Sequence, residues 1–201
     1  PYLKTSGELK TKPTQHSVKE LLSFGIQPDI LVCRTEHNLS EDLRKKIALF
    51  CNVKRESVIE SIDADTIYDV PLLMQEEKLD QVVLNHFKLP IGTSPEMKTW
   101  REFLKHIKEP SSEVEIALVG KYIELQDSYK SILESFNHAG ASNSCKVNVR
   151  WVHAEEVNAD SAKKIFKGVD AVLVSPGFGE RGIDGKVAAI KYVRENNIPF
   201  L

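Results

Sequence analysis

The sequence predicts an α/β protein made of parallel-sheet βαβ segments that belong to two domains. Short apolar runs alternate with amphipathic helical segments, which is the pattern of strands joined by helices across a parallel sheet. The alternation is interrupted near residue 110 and then starts again, which indicates a second domain. A length of 201 residues with 41% hydrophobic and 28% charged residues is typical of a folded chain and excludes a disordered one.

Charge and cysteine use exclude several classes of function. The formal net charge of −2 gives no general attraction to nucleic acid or to an anionic membrane, and no apolar run is long enough to span a bilayer. Three cysteines at uneven spacing indicate neither a disulfide framework nor a metal site, and they favour a reducing, cytoplasmic location. Histidine spacing does not match metal ligands on one helix face, so no metal ligands are expected in this chain.

The first half begins with a polar, lysine-rich stretch that leads into a helix. Val18, Leu21 and Leu22 fall on one helical face, so this helix is expected to start near Ser17. Ser40 and the two acids after it cap a second helix. The apolar stripe of that second helix consists of Leu43, Ile47 and Phe50. The elements expected after the first helix are strands at 30–33 and 58–62 and helices at 41–51, 70–87 and 95–107.

A proline-rich stretch separates the two halves. Pro90, Pro95, Pro110 and a Ser-Ser pair fall within residues 88–112, and such a composition is typical of a linker. The expected organisation is a first domain at 1–90, an interdomain linker with a helix at 91–112, and a second domain at 113–201.

After the linker, the alternation of strand and helix resumes. Residues 113–201 are therefore expected to form the first half of an open, doubly wound sheet. Its elements are expected as strands at 114–120, 147–152, 171–174 and from 198, and as helices at 128–139, 161–166 and 186–196.

The lysine-rich stretch before the first helix is a candidate anion site. Lys10 and Lys12 would point to one side of an extended segment, and Thr14 and Gln15 add neutral donors ahead of a helix N-terminus. Together these groups could hold a polyphosphate. A solvated loop remains an equally open alternative on spacing alone.

Two other charged clusters are interpreted as ordinary helix surface. The run Arg44-Lys45-Lys46 falls on a predicted helix, where charges are usually solvated, and the acidic pair Glu76-Glu77 is interpreted as helix surface or cap.

A glycine-rich loop follows the predicted strand at 171–174. Gly177, Gly179 and Gly182 would let backbone N–H groups approach a ligand at the carboxyl end of a buried strand. Such a loop could supply an oxyanion hole. Its G-x-G-x-x-G spacing alone is too weak a signal for a dinucleotide site.

Several motifs along the chain resemble those of the CTP synthase family. They are Lys10-Thr11-Lys12-Pro13-Thr14-Gln15, Gln27-Pro28-Asp29, Ile67-Tyr68-Asp69-Val70-Pro71, Val119-Gly120-Lys121-Tyr122 and Pro176-Gly177-Phe178-Gly179. The resemblance is collinear over nearly the whole chain and is weakest at 88–112.

The resemblance implies an activity and a domain architecture. Members of the family aminate UTP to CTP in pyrimidine biosynthesis: ATP and Mg²⁺ phosphorylate the uracil 4-oxygen, and ammonia from glutamine displaces that phosphate. Residues 1–90 resemble the end of the P-loop-like amidoligase domain, and residues 113–201 resemble the start of a class I glutamine amidotransferase domain. The ATP phosphate and Mg²⁺ ligands are expected before this chain and the cysteine nucleophile just after Leu201. The chain alone is therefore expected to be inactive and to contain no catalytic residue.

In the first half, the resemblance implies two groups of nucleotide contacts. The residues expected to bind UTP and CTP are Lys10, Thr11, Lys12, Pro13, Thr14, Gln15 and Lys46. The residues expected to line the adenine of ATP are Ile62, Asp63 and Ala64. The resemblance therefore gives Lys46 a binding role, unlike the other two residues of the run Arg44-Lys45-Lys46, which are interpreted as solvated.

In the second half, the resemblance implies a glutamine site and a regulatory loop. Glutamine binding and the oxyanion hole are expected at Gly177 and Phe178, and a loop linked to GTP activation is expected at Arg181, Gly182 and Asp184. Two positions depart from the family pattern. Pro176 replaces a glycine and so removes an N–H donor, which makes Gly177 the expected donor, and Asp184 replaces a glutamate.

The resemblance also implies ligands and an assembly. UTP, ATP and L-glutamine are expected as substrates, CTP as a feedback inhibitor, GTP as an activator, and a homotetramer as the assembly, with neither nucleic acid nor membrane as a partner. The alternative is a non-catalytic module that senses CTP or UTP, or directs assembly, and retains the nucleotide-binding loop.

Overall fold

The structure, a computed structural model, describes residues 1–5, 7–177 and 179–201. The chain folds as two compact units, Pro1–Met97 and Lys98–Leu201. Both units combine helices with parallel strands, which confirms the predicted α/β class. No helix among the described residues is both long and apolar enough to cross a membrane.

The first unit opens with a short hairpin and a helix that begins earlier than predicted. Strand β1 (Tyr2–Leu3) pairs antiparallel with β2 (Glu8–Leu9), and helix α1 covers Lys12–Ser23. The predicted start near Ser17 is wrong, because Pro13 occupies the first turn. A proline there has a helical φ and needs no hydrogen-bond acceptor for its nitrogen.

A parallel strand pair with a connecting helix forms the centre of the first unit. Strand β3 (Leu31–Thr35) pairs with β4 (Val58–Ile62), and helix α2 (Glu41–Cys51) connects them. As predicted, Ser40 caps α2: its Oγ accepts the Leu43 N–H at 3.3 Å. The buried cluster consists of Val18, Ile47, Ala48, Cys51 and Val58.

Only part of the predicted apolar faces is buried in the first unit. Phe50 is exposed by 61%, and Leu21 and Leu22 are exposed by 39% and 41%. These three residues lie on the predicted apolar faces but outside the buried cluster, because the two-stranded sheet is too narrow to cover more than the inner edge of each helix.

The helix predicted at 70–87 is two helices. Helix α3 covers Val70–Glu76 and α4 covers Leu79–His86, with Lys78 between them in the left-handed region at φ 59°. A left-handed residue cannot continue an α-helix, so the chain changes direction there.

The second unit alternates strands and helices as predicted. Its elements are α5 (Lys98–Lys108), β5 (Ser112–Gly120), α6 (Lys130–Ser142), β6 (Cys145–His153), α7 (Ala162–Ile165), β7 (Ala171–Val174) and α8 (Ile183–Glu195). Helix α5 lies within the predicted linker 91–112. It packs on α6, with the rings of Phe103 and His138 6.1 Å apart.

The sheet of the second unit has its first strand in the middle. The strand order is β6-β5-β7, all parallel, and Phe200 continues the sheet beside Val172. The chain therefore moves to one side of β5 and then to the other. Open α/β sheets bind ligands at such a reversal, at the carboxyl ends of the adjacent strands. The core between sheet and helices includes Ala117, Val119, Val152, Phe166, Val172, Ala189 and Val193.

Candidate functional site

Three lysines line one open cavity in the first unit. The cavity has a volume of about 830 Å³, and its wall includes Lys10, Lys12 and Lys46. Lys12 begins α1, and Lys46 lies on α2, which packs against α1. The fold thus brings Lys46 to the lysine-rich segment that precedes it in the sequence, as the family resemblance implies for a nucleotide site.

The first turn of α1 adds partial positive charge to this cavity. Thr11 is the N-cap and is 7% exposed, and the residues from Lys12 to Gln15 are neutral or basic. Because the first backbone N–H groups of a helix lack intrahelical acceptors, the cavity meets the positive end of the helix dipole.

One carboxylate shares the cavity with the three ammonium groups. Lys10 Nζ donates a hydrogen bond to Glu8 Oε2 at 2.5 Å. This hydrogen bond and the charge of Lys10 lower the pKa of the Glu8 carboxyl, and Lys46 contributes in the same direction. Glu8 thus occupies a position that an anionic ligand would compete for.

Two predicted nucleotide contacts lie apart from the cavity wall. Thr14 and Gln15 belong to the first turn of α1, and the Gln15 side-chain amide donates to Thr11 Oγ1 at 3.0 Å. Among the described lining residues, only Thr11 and Pro13 join the lysines from the predicted segment. The prediction of an extended segment is wrong, because Lys12 already has helical geometry.

A second cavity lies at the carboxyl ends of β3 and β4. It has a volume of about 260 Å³ and is lined in part by Arg34, Thr35 and Asp63. The Asp63 N–H donates to Thr35 O at 3.0 Å, and Arg34 Nε donates to Asp63 Oδ1 at 3.1 Å. Of the described residues, Ile62 and Ala64 do not line this cavity, although both flank Asp63.

The two cavities of the first unit adjoin. Pro1 borders both of them. One cavity is rich in lysine, and the other lies where open α/β sheets bind ligands, at the ends of parallel strands. Two ligands could therefore lie side by side in this unit.

Arg44 of α2 belongs to a buried charge network that was not predicted from the sequence. The predicted solvated faces are wrong for Arg44 and Glu77, because the Arg44 side chain is only 11% exposed and contacts both Glu60 and Glu77. Glu60 in turn accepts the backbone N–H of Leu39. No local pattern signals this network, since its members come from α2, β4 and the end of α3.

The glycine-rich loop of the second unit lies at the switch point of its sheet. Ser175 follows β7 and is 1% exposed, and both its N–H and its Oγ donate to Val119 O in β5, at 3.0 and 2.9 Å. Gly177 comes two residues later. Loop backbone at this position can approach a ligand closely, as predicted for an oxyanion site.

Two lysines, one buried and one partly buried, contact this loop. Lys121 is 3% exposed, and its Nζ donates to Gly179 O at 3.0 Å. Lys186, on α8, donates from Nζ to Ser175 O at 2.7 Å. Burial lowers the pKa of the Lys186 ammonium, and the positive charge of Lys121 lowers it further. Sequence reasoning assigned no role to Lys186 and used Lys121 only as part of a motif.

The predicted regulatory loop is held mainly through Arg181. Its Nη2 donates to Lys121 O at 2.9 Å, its Nε pairs with Glu155 Oε1 at 3.0 Å, and its guanidinium lies 5.6 Å from the Tyr122 ring centre. Gly182, at φ 77°, precedes α8.

Of the two remaining predicted residues of the second-unit site, the structure describes Asp184. Asp184 is exposed in the first turn of α8. Phe178, also predicted for the glutamine site, is outside the described residues.

The described residues also include side chains of the types that ligate metals or act as thiol nucleophiles. Within residues 1–5, 7–177 and 179–201, no three His, Cys, Asp or Glu side chains come together in a group that could hold a metal ion. Burial raises the pKa of the Cys33 and Cys51 thiols, which favours their unreactive, protonated form.

Two protein families match separate parts of the chain. The CTP synthase N-terminus family matches residues 1–89, and the glutamine amidotransferase class-I family matches residues 124–201. A solved structure, the glutaminase domain of Trypanosoma brucei CTPS with bound acivicin, is 42% identical. That match covers 43% of this chain and 34% of the solved one, with a TM-score of 0.41.

Curated CTP synthases match the chain over its whole length. The proteins from Flavobacterium johnsoniae and Flavobacterium psychrophilum are 63% identical over 200 and 201 residues, and that from Cytophaga hutchinsonii is 61% identical over 200 residues. Each match covers 100% of this chain, and the chain spans 37% of the length of each relative. The chain belongs to the CTP synthase family.

Proposed function

We propose that this chain serves the glutamine-dependent amination of UTP to CTP, and that its first unit binds the triphosphate of the pyrimidine nucleotide. One observation carries the proposal: Lys10, Lys12 and Lys46 meet at one cavity beside the N-terminus of α1. Ammonium groups and free helix N–H groups are the donors that phosphate oxygens prefer in proteins.

The charge in the cavity suits a polyanion better than a single phosphate. Three ammonium groups face one carboxylate, Glu8, so the wall keeps an excess of positive charge. The lysines come from two separate segments that line one cavity, and linked phosphates offer more oxygens to share among three ammonium groups than a single phosphate does. UTP and its product CTP carry the same triphosphate, which accounts for a shared site.

Nucleotide titration of the 201-residue chain tests this proposal. We expect calorimetry to detect UTP and CTP binding, and Lys46→Met to weaken it by about tenfold or more because one charge-assisted contact is lost. Lys45→Met is the matched control, since Lys45 is exposed on the same helix and does not line the cavity. Equal affinities for the two variants would contradict the assignment.

In the second unit, we propose that the Gly177 N–H stabilises the oxyanion formed from glutamine. A nucleophile that adds to the side-chain amide carbon places negative charge on the carbonyl oxygen, and a backbone N–H fixed nearby stabilises that charge. Collapse of this tetrahedral species breaks the C–N bond and, with a proton on the leaving nitrogen, releases ammonia. The position of Gly177 at the sheet's switch point supports this role.

The remaining ligands are proposed from family membership. ATP would place its adenine near Ile62, Asp63 and Ala64, and Asp63 lines the cavity that adjoins the lysine cavity. Mg²⁺ would be held by residues other than those described here, and GTP would act at the loop of Arg181, Gly182 and Asp184. We further propose that the enzyme is a homotetramer and that it is cytoplasmic. The three free cysteines support the location, because free thiols are typical of a reducing compartment.

A further inference from the structure

The loop that carries Gly177 is fixed on both sides by lysine ammonium groups. We call Ser175, Pro176, Gly177 and Gly179 the Gly177 loop. Lys186 Nζ donates to Ser175 O at 2.7 Å, and Lys121 Nζ donates to Gly179 O at 3.0 Å. The two lysines reach the loop from different elements, α8 and the end of β5, and bind the carbonyls that precede and follow Gly177.

Lys121 is itself held in place by two backbone contacts. Its N–H donates to the Tyr129 hydroxyl at 3.0 Å, and its carbonyl accepts a hydrogen bond from Arg181 at 2.9 Å. The residue is 3% exposed. A buried side chain on a backbone held at both its N–H and its carbonyl is a less mobile donor for the Gly179 carbonyl than an exposed lysine would be.

The Lys186 contact constrains the direction of the Gly177 N–H. The N–H and Oγ of Ser175 are bonded to Val119 O, and Lys186 binds its carbonyl, so the peptide plane between Ser175 and Pro176 is fixed. The ring of Pro176 fixes its φ near −65°. Only the ψ angle of Pro176 then separates a fixed peptide plane from the Gly177 N–H.

Both lysine side chains also pack against Gly177. A Cβ atom at that position would lie 3.4 Å from Lys186 Nζ and 3.8 Å from Lys121 Cε. Two ammonium groups so close to one loop repel each other, and burial adds to the unfavourable free energy of their charges. Both lysines are nevertheless present here, and their hydrogen bonds to Ser175 O and Gly179 O orient the loop backbone.

We propose that Lys121 and Lys186 are positioning residues that hold the Gly177 loop so that the Gly177 N–H faces the carbonyl oxygen of the substrate amide. The inference rests on the proposed oxyanion role of Gly177. It also gives Pro176 a function: the proline removes one donor but limits the motion of the donor that follows.

Amide hydrogen exchange in the 201-residue chain tests the positioning without any need for catalysis. In Lys186→Met, we expect the Ser175 amide, which donates to Val119 O, to exchange about tenfold faster, because the Ser175 carbonyl loses its donor and the loop opens more often. Lys191→Met is the control, since Lys191 is exposed on the same helix. Unchanged exchange in a folded Lys186→Met variant would overturn the proposal. If Lys186→Met does not fold, Lys121→Met is measured in its place by the same criterion.

Glutaminase kinetics test the consequence for catalysis. A full-length CTP synthase in which this chain replaces the matching segment of the Flavobacterium johnsoniae protein provides the assay. For Lys186→Met, we expect kcat to fall by about 10²-fold with little change in KM, because a misdirected donor affects the transition state most. Lys186→Arg keeps a cationic donor and should recover most of kcat.

The two readouts separate the positioning from the oxyanion role. Faster exchange with unchanged glutaminase kinetics would show that the lysines fix the loop but that Gly177 is not the oxyanion donor. Such a result would overturn the catalytic part of the inference together with the proposed function. A fall in kcat without faster exchange, or one that Lys186→Arg does not reverse, would overturn the positioning role alone.

Discussion

Arg44 and Glu77 form a bidentate salt bridge, in which Arg44 Nη1 donates to Glu77 Oε2 at 2.5 Å and Arg44 Nη2 donates to Glu77 Oε1 at 2.9 Å. Glu77 also accepts the backbone N–H of Glu60 in β4, at 2.9 Å. The pair thus joins α2, the end of α3 and the sheet of the first unit. Because Lys46 is two residues from Arg44 on α2, this network fixes the helix that presents Lys46 to the lysine cavity.

Removal of Arg44 is expected to destabilise the first unit strongly. Arg44→Met should lower the free energy of unfolding by about 3 kcal/mol, because Glu60 and Glu77 would remain mostly buried without a cation. Arg34→Met is the control: Arg34 is 85% exposed in its pair with Asp63 and should change stability by less than about 1 kcal/mol. Denaturant unfolding of the two variants measures the difference, and equal losses would contradict the role of the network.

Glu77 is expected to make stability depend on pH in the acid range. Burial alone would raise its pKa, but hydrogen bonds from Arg44 and from the Glu60 N–H lower it below the ordinary value of 4.5. A carboxyl whose folded pKa is depressed binds fewer protons folded than unfolded. Its contribution is therefore complete above about pH 4.5 and is lost as the pH falls through the lower, folded pKa.

Glu77→Gln removes that titration and so provides the measurement. The stability difference between the parent chain and the variant should be constant from pH 7 to about 5 and should shrink below pH 4.5. A difference that stays constant or grows in acid would show that the Glu77 pKa is not lowered by folding.

The parts of the fold that were predicted correctly depend on local sequence. The strands at 58–62 and 171–174 have the predicted bounds, because each is rich in β-branched or apolar residues and is flanked on both sides by polar residues. The break at Lys78 was not predictable, since nothing in its neighbours favours a left-handed residue. It lies beside Glu77, whose position depends on Arg44, a partner distant in the sequence.

In the candidate site too, features set by local sequence were predicted, whereas contacts between residues distant in the sequence were not. Lys10 and Lys12 were predicted from their spacing, whereas Lys46 required a family resemblance because helix packing brings it to them. Lys186 was missed because its partner is a backbone carbonyl on another element, and any residue can supply a carbonyl. Positions whose role depends on backbone partners leave no side-chain pattern in the sequence.

Gly185 is expected to tolerate no side chain. A Cβ atom at this position in α8 would lie 1.6 Å from the backbone oxygen of Ala154, so the helix would have to move away from the sheet. Gly185→Ala should destabilise the second unit by about 3 kcal/mol or more. Gly92→Ala, where a Cβ meets nothing within 4 Å, is the control. Thermal unfolding compares them, and a stability of Gly185→Ala equal to that of the control would contradict the close packing of α8.

Glu8 is expected to oppose nucleotide binding. Its carboxylate accepts a hydrogen bond from Lys10 and lies near Lys46. A bound triphosphate would therefore compete with the Glu8 carboxylate for the same two ammonium groups. Glu8→Gln keeps the size of the side chain and removes its charge. The 201-residue chain should then bind UTP and CTP about threefold more tightly at low salt, and the gain should shrink at high salt because the pair is exposed.

A second variant, Glu20→Gln, removes another carboxylate from the same unit and shows whether the effect of Glu8→Gln on affinity is local or comes from net charge. Glu20→Gln changes the net charge equally, but Glu20 is exposed towards the end of α1 and does not line the cavity. It should leave the affinity within the error of the titration. If Glu8→Gln weakens binding, the carboxylate assists the ligand. If both variants strengthen binding equally, the effect comes from net charge alone, and the competition between Glu8 and the triphosphate for Lys10 is refuted.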